Sequence, residues 1–241
     1  MALPMMSTPT YTLTVPSTEK KIKFRPFVVK EQKALLLAQQ SEDTTVMVES
    51  LKNVIQSCVM DKIDVDDLAT FDLEYIFTQI RAKSVGELVE LFFTCDEPSC
   101  VDNEKARLKI GIDLTSIEIE RSTEHTKKIE LFGDVGVIMK YPNMDTVKKL
   151  QVAGEEENLD QVFEVMANSI DYIYQGDELF HAKEQKPQEI LDFLYNLTSE
   201  QFLKVQNFFV TMPKMVKRIE YDCPVCSKHH KTSLEGLQSF F

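Results

Sequence analysis

Apolar and polar residues alternate at the start of the chain. Tyr11, Leu13 and Val15, then Ile22 and Phe24 beyond the PSTEK segment, keep a period of two that predicts a β-hairpin. From 30 to 60 the period lengthens. "KEQKALLLAQQ" is rich in helix formers, and Met47, Leu51, Val54, Ile55 and Cys58 then recur at three- and four-residue spacing, predicting a second helix with one buried face. Beyond the acidic connection "DKIDVDD", a third helix over 71–83 places Leu73, Ile76, Phe77 and Ile80 on one face. The middle returns to period two. "LFFTC" and the series Leu108, Ile110, Ile112, Leu114 read as strands, and Ile129, Leu131, Val135, Val137 and Met139 read as a hairpin turning at Gly133-Asp134. Helical spacing resumes after Pro142, a residue suited to a first helical turn, and continues through Val162, Phe163, Met166, Ile170 and Ile173 to Gly176. A last helix opens at Thr198, where Gln201 completes a capping box, shows Phe202, Val205, Phe208 and Phe209 on one face, and ends at Pro213. A final strand, Val216 to Tyr221, runs into the C-terminal cysteines.

The chain so divides into an N-terminal hairpin (1–29), a helical section (30–86), a β-rich section (87–141), a second helical section (142–213) and a C-terminal knuckle (214–241). The expected class is α+β, mainly helical with β-hairpins.

Composition narrows the function more than the fold. Acidic side chains number 39 against 27 basic ones, a net charge of -12, which argues against nucleic acid as the main partner because phosphate binding rests on cationic contacts. The longest apolar runs are pieces such as "ALLLA", far short of the roughly 20 residues that cross a bilayer. The N-terminal residues show neither a basic region nor a sustained apolar stretch, so a reducing cytoplasm is the expected compartment. Glycine is scarce, with seven residues, and neither the Walker A pattern nor GxGxxG occurs. Nucleotide-dependent enzymes are poorly supported, and a non-enzyme is expected.

The five cysteines carry the strongest chemical signal. Cys95 and Cys100 form C-x4-C in "CDEPSC"; Cys223 and Cys226 form C-x2-C in "CPVC". Each pair follows a predicted strand and sits at the tip of a prospective hairpin. Four thiolates at two such tips can surround one zinc ion per chain, as in zinc ribbons, and join the middle β-section to the C-terminus. Such a site is closed to water and substrate, so its role is a structural staple. Disulfides conflict with a reducing compartment, and a redox role for CPVC lacks a thioredoxin-like setting. Free thiols remain the competing reading, because C-x4-C is a less specific zinc spacing. His229 and His230 are placed either as ligands replacing a cysteine or as exposed polar residues of the hairpin. Cys58 reads as a core thiol.

Other clusters read more plainly. Asp64, Asp66 and Asp67, like Glu155, Glu156 and Glu157, lack the glycine and distal glutamate of a calcium loop and read as solvated surface. His125 and His181 read as lone surface histidines. Lys214, Lys217, Arg218, Lys228 and Lys231 gather near the second cysteine pair and suggest an alternative, a zinc-ribbon nucleic-acid-binding regulator. Phe240 and Phe241 end the sequence in an apolar pair that either tucks into the core or joins a partner surface.

Six segments together resemble the baseplate hub assembly proteins of T-even-like contractile-tailed phages. They are "KIKFRPFVVKEQKALLLAQQSED", "FDLEYIFTQIRAKSVGELVEL", "VIMKYPNMDTVKKL", "ANSIDYIYQGDELF", "FFVTMPKM" and "YDCPVCSKHHKTSLEGLQSFF", spread so that the resemblance spans nearly the whole chain apart from the N-terminal segment. The resemblance implies a viral late protein made in the host cytoplasm. It would be a structural subunit of the baseplate hub or a transient assembly factor, not an enzyme. The partners implied are other hub proteins, including the tape-measure and tail-spike-associated components, with no membrane. The resemblance also implies that Cys95, Cys100, Cys223 and Cys226 are zinc ligands.

Overall fold

A computed structural model describes residues 7–41, 43–101, 103–151 and 159–240, with the backbone alone for 148–151, 238 and 240. Glu155 to Glu157, Phe241 and the side chain of Phe240, on which expectations were placed, lie outside the described residues. Among the described residues, seven α-helices accompany eleven strands. The class is α+β as expected, but helix does not dominate. Contacts divide the chain into two compact units, one drawn from Met1–Val65, Phe71–Glu120 and Lys214–Phe241, the other from Asp66–Thr70 and Arg121–Pro213.

The first unit opens with the predicted hairpin, β1 (Tyr11–Thr14) paired antiparallel with β2 (Lys21–Phe24), whose Leu13, Ile22 and Phe24 are buried. Two helices follow, α1 (Val29–Gln40) and α2 (Thr44–Cys58). Glu31 anchors the start of α1 by accepting the Val28 N–H at 2.9 Å while pairing with Arg25 at 3.0 Å. Asp43 caps α2, accepting the Thr45 N–H at 2.7 Å. Val48, Leu51, Val54, Ile55 and Cys58 form the buried stripe of α2. The next helix, α3 (Thr70–Val85), buries Leu73, Ile76, Phe77 and Ile80 as predicted, and also Phe71, Asp72 and Thr78, so it is enclosed on more than one side. Asp72 is fully buried because it holds the first hairpin's turn, accepting from both the backbone N–H and the hydroxyl of Ser17.

Beyond α3, β3 (Leu88–Thr94) pairs with β4 (Arg107–Asp113), and Leu114 begins a 3-10 turn rather than continuing the strand. A short β5 (Glu118–Glu120) later becomes an edge of the sheet containing the C-terminal strands.

The second unit is a four-stranded antiparallel sheet with helices. The hairpin of β6 (Lys128–Phe132) and β7 (Val135–Met139) turns at Gly133, whose φ of +53° favours glycine. Next comes α4 (Met144–Gln151). Its start corrects one expectation: Asn143, not Pro142, caps the helix, accepting the Thr146 N–H at 2.9 Å. The following helix, α5 (Leu159–Asn168), is shorter than its periodicity predicted. Ile170 and Ile173 continue the helical spacing, yet they belong to β8 (Ile170–Gln175), which inserts between β7 and β9 (Glu178–His181). Buried Ser169 closes α5 by donating its hydroxyl to the Val165 carbonyl at 2.8 Å. The aromatic and β-branched content of "IDYIYQ" then favours pairing with β7. Two helices complete the unit, α6 (Pro187–Tyr195), unanticipated, and α7 (Ser199–Thr211), whose Thr198–Gln201 capping box forms as predicted.

Ile129, Leu131, Val137 and Met139 of the sheet pack with Met166, Ile190, Leu194, Val205 and Phe208 of the helices into one apolar core. Gly136 faces Tyr174 across the β7–β8 pair, and a Cβ there would overlap the Tyr174 hydroxyl and the Ile129 carbonyl. The ring lies where a side chain would otherwise stand.

The chain then returns to the first unit with β10 (Lys214–Asp222) and β11 (His229–Glu235). β10 is the central strand of the order β11-β10-β5. Beneath these sheets Ala82, Ile112, Leu114, Ile117, Met215 and Ile219 form a second core.

Candidate metal centre

Cys95 follows the last residue of β3, and the loop that carries it and Cys100 returns to β4. Cys223 follows β10, and the loop that carries it and Cys226 returns to β11. Both pairs therefore occupy hairpin tips. The hairpins meet through Tyr221, which donates its hydroxyl to the Thr94 carbonyl at 3.3 Å and whose ring centroid lies 5.4 Å from that of Phe93.

The four sulfurs converge. Cys95 Sγ and Cys226 Sγ are 3.7 Å apart, Cys100 Sγ and Cys223 Sγ 3.9 Å, and all four lie within 4.8 Å of one another. A tetrahedron with metal–sulfur arms of about 2.3 Å has edges of about 3.8 Å. The donor set and spacing fit one tetrahedrally held ion with no open position. Cys95, Cys100 and Cys223 are buried and Cys226 is exposed, and all are free thiols.

Each tip is shaped by its own backbone. The Glu97 carbonyl accepts the Cys100 N–H at 2.8 Å, and the Lys228 carbonyl accepts the Cys223 N–H at 2.9 Å. Ser227 adopts φ +59° to complete the tighter turn. The Val225 N–H points to Cys223 Sγ at 3.5 Å. The Cys226 backbone N–H, opposed by burial and helped by Val225, draws the Cys223 thiol down to about 7. At Cys95 the Glu97 N–H pulls the same way, but burial and the neighbouring thiols outweigh it and push that thiol up to about 12. Cys223 thus gives up its proton most readily, and binding of a cation would have to draw the proton from Cys95.

The remaining candidates fall elsewhere. His229 is exposed and held by Asp222 at 2.8 Å. His230, contrary to an exposed reading, keeps only 12% of its side chain accessible and stacks on Tyr221 at 4.9 Å. It lies with Cys95 and Asp96 in a second group, outside the four-thiol cluster. Cys58 is a core thiol, which burial pushes up to about 11. Asp64, Asp66 and Asp67 are exposed. His181 is half-buried against Tyr172, with ring centroids 4.4 Å apart, and so is not a lone surface residue.

His125 is likewise more than a surface residue. It bridges Thr211 Oγ1 and Tyr141 Oη, both at 3.0 Å, and its ring lies 5.0 Å from that of Phe208. The Thr211 hydroxyl donates to the Asn207 carbonyl at 2.6 Å, so it accepts from His125 Nδ1–H, leaving Nε2 to accept from Tyr141. Burial, then the charge of Lys127, holds its pKa below the ordinary histidine value.

Sequence reasoning placed Lys228 in a basic cluster and missed its pairing with Asp96 and Glu97, which joins the two tips. Lys228 Nζ lies 3.0 Å from Asp96 Oδ1 and 2.6 Å from Glu97 Oε1. Opposite charges placed directly beside the two cysteine pairs were the available signal.

The fold and site define an α+β protein whose two hairpin tips close on a four-thiol centre. The particular family follows from comparison with family models: the one described as T4 bacteriophage base plate protein matches residues 8–241, and the chain belongs to that family. Neither the curated proteins nor the solved structures contain a match. Among the described residues, no helix is long and apolar enough to cross a membrane.

Proposed function

We propose that this protein is a hub subunit or assembly factor of the phage tail baseplate. It acts through protein–protein contacts, in the host cytoplasm during assembly or in the finished tail, and carries no catalytic activity. The carrying observation is the family match across residues 8–241. The expected partners are the other hub proteins and the tape-measure protein. One structural zinc ion held by Cys95, Cys100, Cys223 and Cys226 belongs to the same reading. It is supported by a four-sulfur donor set with tetrahedral spacing and no position for water.

The nucleic-acid alternative draws on the basic residues around the second pair, and their partners weaken it. Arg218 forks onto Glu120 at 2.6 and 2.5 Å, Lys231 pairs with Glu220 at 2.8 Å, and Lys214 lies 3.8 Å from Glu235. Cations neutralised this way release few counterions from a phosphate backbone.

Deleting the gene from the phage and isolating tail intermediates tests the role. The expected result is a failure of hub assembly, with the tagged protein copurifying with hub components. Normal hubs in the deletion would overturn the reading. Mass spectrometry of mature particles beside assembly intermediates then separates a retained subunit from a factor that leaves.

A further inference from the structure

Glu97, between the cysteines of the first tip, and Lys228, just beyond those of the second, make matching backbone contacts. Each gives its backbone carbonyl to the N–H of a metal-facing cysteine, Glu97 to Cys100 at 2.8 Å and Lys228 to Cys223 at 2.9 Å. Their side chains then meet each other at 2.6 Å, and Lys228 reaches Asp96 at 3.0 Å, one residue beyond Cys95. The two residues that set the cysteine backbones within each loop are therefore the ones that couple the loops. None of these contacts needs an ion.

We propose that Lys228 is a positioning residue, a latch that closes the two cysteine loops on each other and presets the four thiols for the ion. This rests on the zinc reading above. Loading one ion gathers four thiolates within 4.8 Å of one another, and their mutual repulsion opposes that gathering. A cation held across the loops beside them offsets part of that repulsion and limits the separations the loops explore. The Lys228 and Glu97 side chains are each 40% accessible and Asp96 75%, so the latch is partly screened by solvent and its effect is modest.

The test titrates the metal-free full chain with cobalt(II), following the thiolate-to-cobalt absorption bands, for the native protein, Lys228→Met, Lys228→Arg and Glu97→Gln. At low ionic strength, Lys228→Met is expected to bind about five- to tenfold more weakly, with Glu97→Gln shifted in the same direction. The gap should narrow near 1 M salt, where the screening length is about 3 Å. Lys228→Arg should recover most of the affinity, because it keeps the charge. A role limited to loop packing would give neither the salt dependence nor the arginine recovery. Native protein that takes up cobalt through its thiolates, with Lys228→Met binding equally well at low salt, overturns the latch. Native protein that shows no thiolate bands at all overturns the metal centre instead.

Discussion

The interior of the second unit and the hairpin tips of the first are filled in different ways. In the second, ten buried apolar residues from sheet and helices form one continuous core. At the hairpin tips of the first, the buried cluster consists of Cys95, Cys100, Cys223 and Ala106. Sulfur stands where the second unit places isoleucine, leucine and phenylalanine. On the zinc reading proposed above, the tips would draw part of their stability from the ion, which the apolar core of the second unit does not need. Charge divides unevenly as well. The segments of the second unit contain 18 acidic and 9 basic residues, a net -9, against 21 and 18, a net -3, in those of the first. Around the cysteines the cations are taken up by local ion pairs. Most of the net negative charge belongs to the segments of the second unit.

The sharpest way to break this contrast is to ask whether the proposed ion is there and what its removal does. Purified protein is expected to contain one zinc per chain by elemental analysis. Cys223→Ser, or a strong chelator, should release it and destabilise the first unit by on the order of 5 kcal/mol, while the amides of the second keep their hydrogen-exchange protection. Metal-free protein with unchanged stability would erase the difference between the units. Next in size, Phe208→Ala should cost the second unit about 4 kcal/mol and leave metal content intact. Calorimetry showing both units equally affected would contradict their separate cores. Gly136→Ala should cost about 2 kcal/mol, because the new methyl must displace the Tyr174 ring or the Ile129 carbonyl. A neutral result in denaturant titration would show that the ring yields freely.

The smallest effect is a pH dependence. His125 in the folded protein has a pKa below its ordinary value of 6.5, so the folded state holds it neutral. As pH falls below 6.5 the unfolded chain takes up a proton that the folded one does not. The stability from His125 is therefore full above that pH and is lost as pH falls through the folded value. The melting temperature of the second unit should decline between pH 7 and pH 5, and His125→Gln should flatten that decline. Parallel curves for the two proteins would remove His125 as the cause.

Much of the fold was legible wherever local pattern and tertiary outcome agree. The first hairpin, the buried stripe of α2, the face of α3 and the Thr198 capping box all follow from period, composition and capping chemistry. The strand β8 did not, because Ile170 and Ile173 continue the helical spacing of Met166, and only the vacancy beside β7 makes pairing the better use of them. His125 was misjudged for a related reason. Its partners Tyr141 and Thr211 lie 16 and 86 residues away, and no local pattern links them.

The sequence by itself determined that two cysteine pairs would sit at hairpin tips, since strand period and spacing are local properties. It also determined the acidic charge, the absence of a nucleotide loop and, through six matched segments, the baseplate family. Only the tertiary structure decided that the four thiols converge within 4.8 Å of one another, that His230 stays outside the four-sulfur set, and that Lys228 spans the two loops. Those facts depend on pairs more than 120 residues apart, with Cys100 and Cys223 separated by 123 and Lys228 and Glu97 by 131. Side-chain period reports which face of an element is buried, but not which distant element buries it.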